Sequence, residues 1–131
     1  MSDDAAEYEA IPAIRVAMMP ADTNAHGTIF GGRILSLIDQ AGAIGAHRIG
    51  AEKVVTVAMR EVEFKEPVLV GDIVSCYVTV LRVGRTSVTT EVRVVAHKPA
   101  DVNRSVLVTV AEVVYVAVDA EGSPTSIPRS A

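Results

Sequence analysis

A single apolar helix segment followed by four long strand segments is the feature that most constrains this chain. Residues 33–49 are rich in Leu, Ile and Ala, and Gly50 follows them where a glycine commonly ends a helix. Beyond Gly50 the chain is rich in Val and Thr. In the segment 86–97 apolar and polar residues alternate, which is typical of a half-buried antiparallel strand. This order predicts an α+β domain in which one helix packs on an antiparallel sheet.

Five segments are predicted to be the strands of this sheet: 11–19, 54–64, 73–83, 86–97 and 106–118. Prolines and glycine-containing turns separate them, as expected where strands end. The last segment is apolar on both faces, so we expect it in the centre of the sheet. One helix cannot cover both faces of five strands, so another face or an edge needs a partner. A homodimer is the simplest solution.

The length of 131 residues favours one domain. We predict a flexible N-terminal tail at 1–10, a single domain at 11–119 and an irregular C-terminal tail at 120–131. The net charge is −4 and there is no long basic run, which argues against a nucleic-acid partner. The acidic N-terminus does not resemble a secretory signal, and no apolar run is long enough for a membrane helix. We therefore expect a cytoplasmic protein without a membrane partner.

Asp39 is the residue in the helix segment that most needs an explanation. It follows Leu37 and Ile38 and precedes a run rich in Ala and Gly, so its carboxylate is expected to be largely out of water. Aspartate is rarely buried without a partner, because burying an unpaired charge is costly. A carboxylate in such surroundings suits a general base near neutral pH. The residues leave open the alternative that Asp39 bonds a backbone group or a partner chain.

The loop at 21–30 leads into Gly31 and Gly32 at the start of the helix. Backbone N–H groups at a helix N-terminus lack partners and carry a partial positive charge, so they can hold a developing oxyanion. Within the loop, Asn24 either bonds its own backbone, as Asn in turns commonly does, or supplies an amide that orients water or polarises a carbonyl. Asp22 is expected to brace the loop.

Other candidate groups carry weaker signals. Arg85, Thr86 and Ser87 lie at a turn between two predicted strands, where they form either an exposed turn or a phosphate contact. No spacing of His, Cys and carboxylate residues predicts a metal site. Cys76, the only cysteine, excludes an internal disulfide and is better explained as a small core residue than as a nucleophile.

Several of these segments together resemble the hotdog-fold acyl-CoA thioesterases, in particular the bacterial YciA type and the related brain acyl-CoA hydrolases. The resemblance runs from about Ile14 to Pro128, nearly the whole chain. The segments taken together are specific for this family, whereas any one segment alone would not identify it. The segments that carry it are 22–32, 37–39, 54–58, 67–72, 83–87 and 116–119.

The resemblance implies a hotdog fold, in which a curved five-stranded antiparallel sheet wraps a long central helix. In this family two subunits pair into a continuous sheet, and the dimers often assemble into hexamers. The implied reaction is the hydrolysis of acyl-CoA to a free carboxylic acid and CoA, at a site on the dimer interface. Apart from CoA, which is part of the substrate, no cofactor is implied.

The resemblance also implies roles for individual residues. Asp39 would be the general base or the nucleophile, and Asn24 of the opposite subunit would position water or the thioester. The backbone N–H of Gly32 would polarise the thioester carbonyl. Six residues would contact the substrate or its CoA part: Gly31, Thr56, Val57, Arg85, Thr86 and Ser87.

Two positions depart from the family pattern, and two other functions stay open. His26 differs from some relatives and receives no catalytic role, and Arg33 stands where relatives often have a large apolar residue. A hotdog enoyl-CoA hydratase is one alternative, because Asp22 with His26 superficially echoes its Asp and His, although the spacing differs. A non-enzymatic acyl-CoA-binding module is the other, and the presence of both Asn24 and Asp39 argues against it.

Overall fold

The computed structural model describes residues 10–101 and 103–128. In these ranges the chain forms one α-helix, a short 3-10 turn at Pro20–Asp22 and five strands. The elements in chain order are β1 (Ile14–Ala17), α1 (Gly31–Arg48), β2 (Val54–Arg60), β3 (Ile73–Val83), β4 (Ser87–His97) and β5 (Ser105–Ala117). No helix in the described ranges is long and apolar enough to cross a membrane.

All neighbouring strands pair antiparallel, in the order β1-β3-β4-β5-β2. β5 lies between β4 and β2, so the prediction of an interior strand is confirmed. β2 pairs only with β5 and therefore has one open edge in the single chain. Exposed side chains of Val55, Thr56 and Val57 lie along this edge strand. An edge strand of this kind presents unpaired backbone groups to a partner.

The predicted bounds hold for β3 and nearly for β4, β5 and the helix, but β1 and β2 are shorter than predicted. β2 ends at Arg60 because the next residue, Glu61, adopts a φ of 54°, which takes the chain out of the extended conformation. The helix starts two residues earlier than predicted, at Gly31. Its predicted glycine cap is confirmed: Gly50 has a φ of 110° and its N–H donates to the His47 carbonyl over 3.1 Å.

The predicted tails are described only in part. Residues 1–9 and 129–131 lie outside the described residues. Residues 120–128 contain no helix or strand, yet they pack back on the domain. Ile127 is buried, and its N–H donates to the carbonyl of Arg85 over 2.8 Å.

The helix packs closely on the inner face of the sheet. Its buried residues recur at the spacing of one helical face: Ile34, Leu37, Ile38, Ala41, Gly42, Gly45 and Ala46. A Cβ at Gly45 would lie 2.5 Å from Val78 Cγ1, and a Cβ at Gly42 would collide with the Tyr115 hydroxyl. Glycine is unfavourable inside a helix, so these two glycines are explained by the close approach of the backbone to the sheet.

Replacement of Gly45 with Ala tests this packing. The added methyl overpacks the contact with Val78, which typically costs about 1–3 kcal/mol. That cost exceeds the ~1 kcal/mol that Ala gains over Gly in a helix, so we expect a lower midpoint of urea unfolding. Gly32→Ala in the same helix is the control, because its added Cβ would lie 3.4 Å from the Phe30 ring, an ordinary contact. Equal stability of the two variants would contradict the explanation.

Candidate active site

Asp39 lies in the middle of α1 and is held by two hydroxyl groups from the sheet. Thr56 Oγ1 on β2 donates to Asp39 Oδ1 over 2.6 Å, and the Tyr115 hydroxyl on β5 donates to the backbone carbonyl of Asp39 over 2.6 Å. Thr56 and Tyr115 are direct partners in the β2–β5 register. The side chain and the backbone of Asp39 are therefore fixed by two residues that face each other on neighbouring strands.

The exposure of Asp39 differs from the expectation of a carboxylate largely out of water. In the single chain Asp39 is half-buried. The inner side of the helix packs on the sheet, but Asp39 lies beside β2, whose other edge is open. A second chain along that edge would complete the burial.

The Tyr115 phenol is a permanent hydrogen-bond donor at neutral pH. Burial raises the pKa of Tyr115 above its ordinary value, and the negative charge of Asp39 raises it further. The phenol therefore keeps its proton where an exposed tyrosine would begin to lose it. Tyr115 was not among the site residues predicted from the sequence. The available signal was a tyrosine inside an apolar strand, because a buried tyrosine hydroxyl usually needs a partner.

The start of the helix provides unpaired backbone donors. The N–H groups of Gly31 and Gly32 make no hydrogen bond with other described residues, as expected for the first turn of a helix. The exposed Phe30 and Phe64 rings flank these glycines, and a Cβ at Gly31 would lie 3.6 Å from the Phe64 ring. A cavity of about 210 Å³ adjoins Gly31. It is lined by Thr28, Ile29, Gly31, Ile34, Phe64, Glu66, Pro67 and Val68.

Asn24 shapes its own loop in the single chain. Its Oδ1 accepts from the backbone N–H groups of His26 and Thr28, over 2.8 and 3.2 Å, and its Nδ2 donates to Thr28 Oγ1 over 2.8 Å. The local role considered from the sequence is therefore present. One Nδ2 hydrogen remains available for a further acceptor. Within the described part of the chain, Asn24 makes no hydrogen bond to Asp39.

Asp22 braces the loop, as expected. Its Oδ2 accepts from the Met19 N–H over 2.9 Å, and its Oδ1 lies 3.2 Å from Arg33 Nε. The backbone carbonyl of Asp22 also accepts from the Phe30 N–H over 2.8 Å. His26 is exposed, and the hydrogen bond it makes to Asn24 uses its backbone N–H rather than its ring. Asp22 is thus occupied by structural contacts, which disfavours the hydratase alternative.

Of the predicted substrate contacts, Thr56 lies against Asp39, whereas Arg85, Thr86 and Ser87 lie farther away. Val57, exposed, lies at the irregularity of the β2–β5 register beside Thr56. The turn after β3 lies farther away, because Ser87 pairs with Val116, which in turn pairs with Val55 on β2. Two strand spacings correspond to about 10 Å. Arg85 is exposed, and Thr86 and Ser87 are half-buried.

The described residues offer neither a metal site nor a cysteine nucleophile. No set of three or more His, Cys, Asp or Glu side chains in residues 10–101 and 103–128 could hold a metal ion. Burial raises the pKa of the Cys76 thiol to about 11. At neutral pH Cys76 is therefore a thiol rather than a nucleophilic thiolate, in agreement with its interpretation as a core residue.

Comparison with known proteins places this chain in a family. The model of the thioesterase superfamily matches residues 26–103, which include the end of the loop before the helix, the whole helix and the strands β2, β3 and β4. The chain therefore belongs to the thioesterase superfamily.

Individual relatives within this superfamily are acyl-CoA thioester hydrolases and hotdog-fold thioesterases. The acyl-CoA thioester hydrolase YciA of Escherichia coli is 44% identical over 117 residues, covering 88% of this chain and 89% of that protein. A hexameric hotdog-fold thioesterase of Campylobacter jejuni is 47% identical with a TM-score of 0.84, covering 90% of each chain. A hexameric broad-specificity acyl-coenzyme A thioesterase is 43% identical with a TM-score of 0.86, covering 92% of this chain and 82% of that chain. The predicted hotdog fold is confirmed.

The raised pKa of Tyr115 predicts how stability depends on pH. Above the ordinary tyrosine pKa of about 10 the unfolded chain releases the phenol proton while the folded chain keeps it. The folded state then binds more protons, so stability falls as the pH rises above that value. We expect the urea midpoint of the natural protein to fall more steeply above pH ~10 than that of Tyr115→Phe. Thr90→Val, which removes a buried hydroxyl that does not titrate in this range, should keep the slope of the natural protein.

Proposed function

We propose that Asp39 carries the hydrolysis of acyl-CoA in this protein. The protein hydrolyses acyl-CoA thioesters to a free carboxylic acid and CoA, the reaction for which its relative YciA, 44% identical, is named. The observation that carries the role of Asp39 is its contact with Thr56. A helix carboxylate, held by a hydroxyl over 2.6 Å, lies beside the open edge of the sheet, where a second chain can complete a site around it.

The arrangement suits either of two routes. Thr56 occupies Oδ1, which leaves Oδ2 to act. As a general base, Asp39 would take a proton from water, and the water oxygen would bond to the thioester carbon. Collapse of the tetrahedral intermediate would break the C–S bond, and the proton would pass to the CoA sulfur. As a nucleophile, Asp39 would bond to that carbon and expel CoA, and water would then hydrolyse the mixed anhydride.

The carbonyl-binding donors are proposed to come from a second chain. Gly32 precedes Asp39 by two helical turns, which is about 10 Å along the helix axis. The free N–H groups of the first turn also point away from the rest of the helix. A carbonyl bound to Gly32 would therefore lie far from Asp39 of the same chain. We infer that Asp39 of one subunit works with Gly32 and Asn24 of the other. Asn24 lies in the loop that leads into the helix, and Gly32 lies at the helix start, so the two come from the same subunit.

The open edge of β2 is the proposed dimer contact. Val55, Thr56 and Val57 are exposed on it, and edge strands generally need a partner. Pairing of β2 with β2 of a second copy would make one continuous sheet and bury Asp39. Both solved structures named above are of hexameric thioesterases, and we propose that three such dimers assemble here.

The remaining substrate contacts are proposed from their positions. Gly31, Thr56 and Val57 surround the reacting centre and would contact the thioester end of the substrate. Arg85, Thr86 and Ser87 lie two strands from β2, and Arg85 would face the phosphates of CoA. Water is the second substrate, so we propose that no cofactor is needed. The cytoplasmic location stays a prediction from the sequence.

Replacement of Asp39 with Asn tests the catalytic role. Asn keeps the size of the side chain and can still accept from Thr56, but it cannot take a proton or attack a carbonyl. We expect kcat to fall by at least ~100-fold, the lower range for loss of a general base. The measurement is CoA release, followed with a thiol reagent. Gln40→Ala, on the exposed side of the same helix, is the control. A kcat within about twofold of the natural value would reject the role of Asp39.

Mixing two inactive variants tests the shared site. Asn24→Ala and Asp39→Ala are refolded together from denaturant, so that subunits exchange. Random pairing gives heterodimers as half of all dimers, and each heterodimer contains one site with both natural residues. We expect activity to return to about a quarter of the natural value.

The controls are each variant refolded alone, which should stay inactive. If Asn24 and Asp39 of the same chain acted together, every site in the mixture would lack one of them. Absence of any recovery, with heterodimers demonstrated by mass spectrometry, would reject the two-chain site while leaving the role of Asp39 intact.

A further inference from the structure

We propose that Tyr115 is a positioning residue, which sets the place of the Asp39 carboxylate through the helix backbone. This inference rests on the proposed role of Asp39. The Tyr115 side chain is fully buried, and its hydroxyl donates to the Asp39 carbonyl over 2.6 Å. The hydroxyl therefore acts on the residue that reacts, without touching the substrate.

The phenol bonds to the helix backbone in the middle of the helix. It donates to the carbonyl of Asp39 over 2.6 Å. In a regular helix this carbonyl accepts from the N–H four residues later, which is that of Ala43. A side chain that donates to a helix carbonyl fixes the helix at this point and can alter its local course.

Gly42 makes this approach possible. A Cβ at Gly42 would collide with the Tyr115 hydroxyl and lie 2.9 Å from Thr90 Oγ1. Any other residue would push the phenol away from the helix. The helix therefore has no side chain at position 42, where the Tyr115 hydroxyl lies against the helix backbone.

The register of the sheet joins this contact to the Thr56 contact. Thr56 and Tyr115 face each other on β2 and β5, so one strand pair holds both the carboxylate and the backbone of Asp39. A reacting group displaced by about 1 Å costs about 100-fold in rate. Loss of the Tyr115 hydroxyl leaves the Thr56 contact in place, so we expect a smaller loss, of about tenfold.

The matched control is Thr90. It is fully buried and adjoins Gly42, as Tyr115 does, but its hydroxyl donates to the Val113 carbonyl over 3.4 Å rather than to Asp39. Thr90→Val and Tyr115→Phe each remove one buried hydroxyl beside the same stretch of helix. A purely structural role predicts similar effects for the two.

The experiment measures kcat and KM for acyl-CoA hydrolysis by the full-length protein, below the unfolding temperature of each variant. We expect Tyr115→Phe to lower kcat about tenfold with KM changed less than about twofold, and Thr90→Val to leave both nearly unchanged. In an Asp39→Asn background, Tyr115→Phe should lower the residual kcat no further, because its effect passes through Asp39. Equal kcat losses in both backgrounds, or equal losses for Tyr115→Phe and Thr90→Val, would overturn the proposal.

Two further measurements keep the outcome clear. If Tyr115→Phe does not fold, a fluorinated tyrosine at 115 keeps the shape of the ring but has a more acidic phenol. The ionisation of this phenol in the folded protein is followed by its absorbance. The kcat should fall across that ionisation, and a kcat that stays level across it would overturn the proposal. Full activity of Asp39→Asn would reject the proposed function itself. An inactive Asp39→Asn with a fully active Tyr115→Phe would reject the role of Tyr115 alone.

Discussion

The close approach of the α1 backbone to the inner face of the sheet is the constraint on which the rest of the structure depends. Gly42 and Gly45 provide no side chain at the contact, and Tyr115 and Val78 take up the space. Packed interiors do not tolerate an added methyl group without local movement. The helix is therefore held in one rotation about its axis, and this rotation decides which of its residues face the core and which face the open edge.

Asp39 lies at the boundary that this rotation creates. Its backbone side faces the sheet and meets the Tyr115 hydroxyl, while its carboxylate reaches Thr56 on the outermost strand. A residue in this position is neither buried in the core nor free in water. In the proposed dimer a second chain along β2 completes these surroundings, because a single chain leaves that edge unpaired. The same edge then serves both the proposed assembly and the proposed catalysis.

Much of the fold followed from local patterns. The strand β3 matched its predicted bounds, because apolar runs between turn residues are a local signal. β1 and β2 were predicted too long. The chain beyond Arg60 keeps strand-forming residues such as Val62 and Phe64, and the Lys65 N–H still donates to the Val108 carbonyl of β5 over 2.8 Å. Glu61, with a φ of 54°, interrupts the regular ladder between these points. Strand pairing depends on where the neighbouring strand lies, and the position of that strand cannot be read from local composition.

The sequence by itself determined the class of fold, the helix that carries Asp39 and the loop that precedes its free N–H groups, because periodicity, turn residues and a charge in an apolar segment are all local features. Only the tertiary structure decided that Thr56 holds the carboxylate and that Tyr115 holds the backbone. Tyr115 is 76 residues from Asp39 along the chain. Contacts at that separation arise from the strand register and the helix rotation, which are set by the packing of the whole domain.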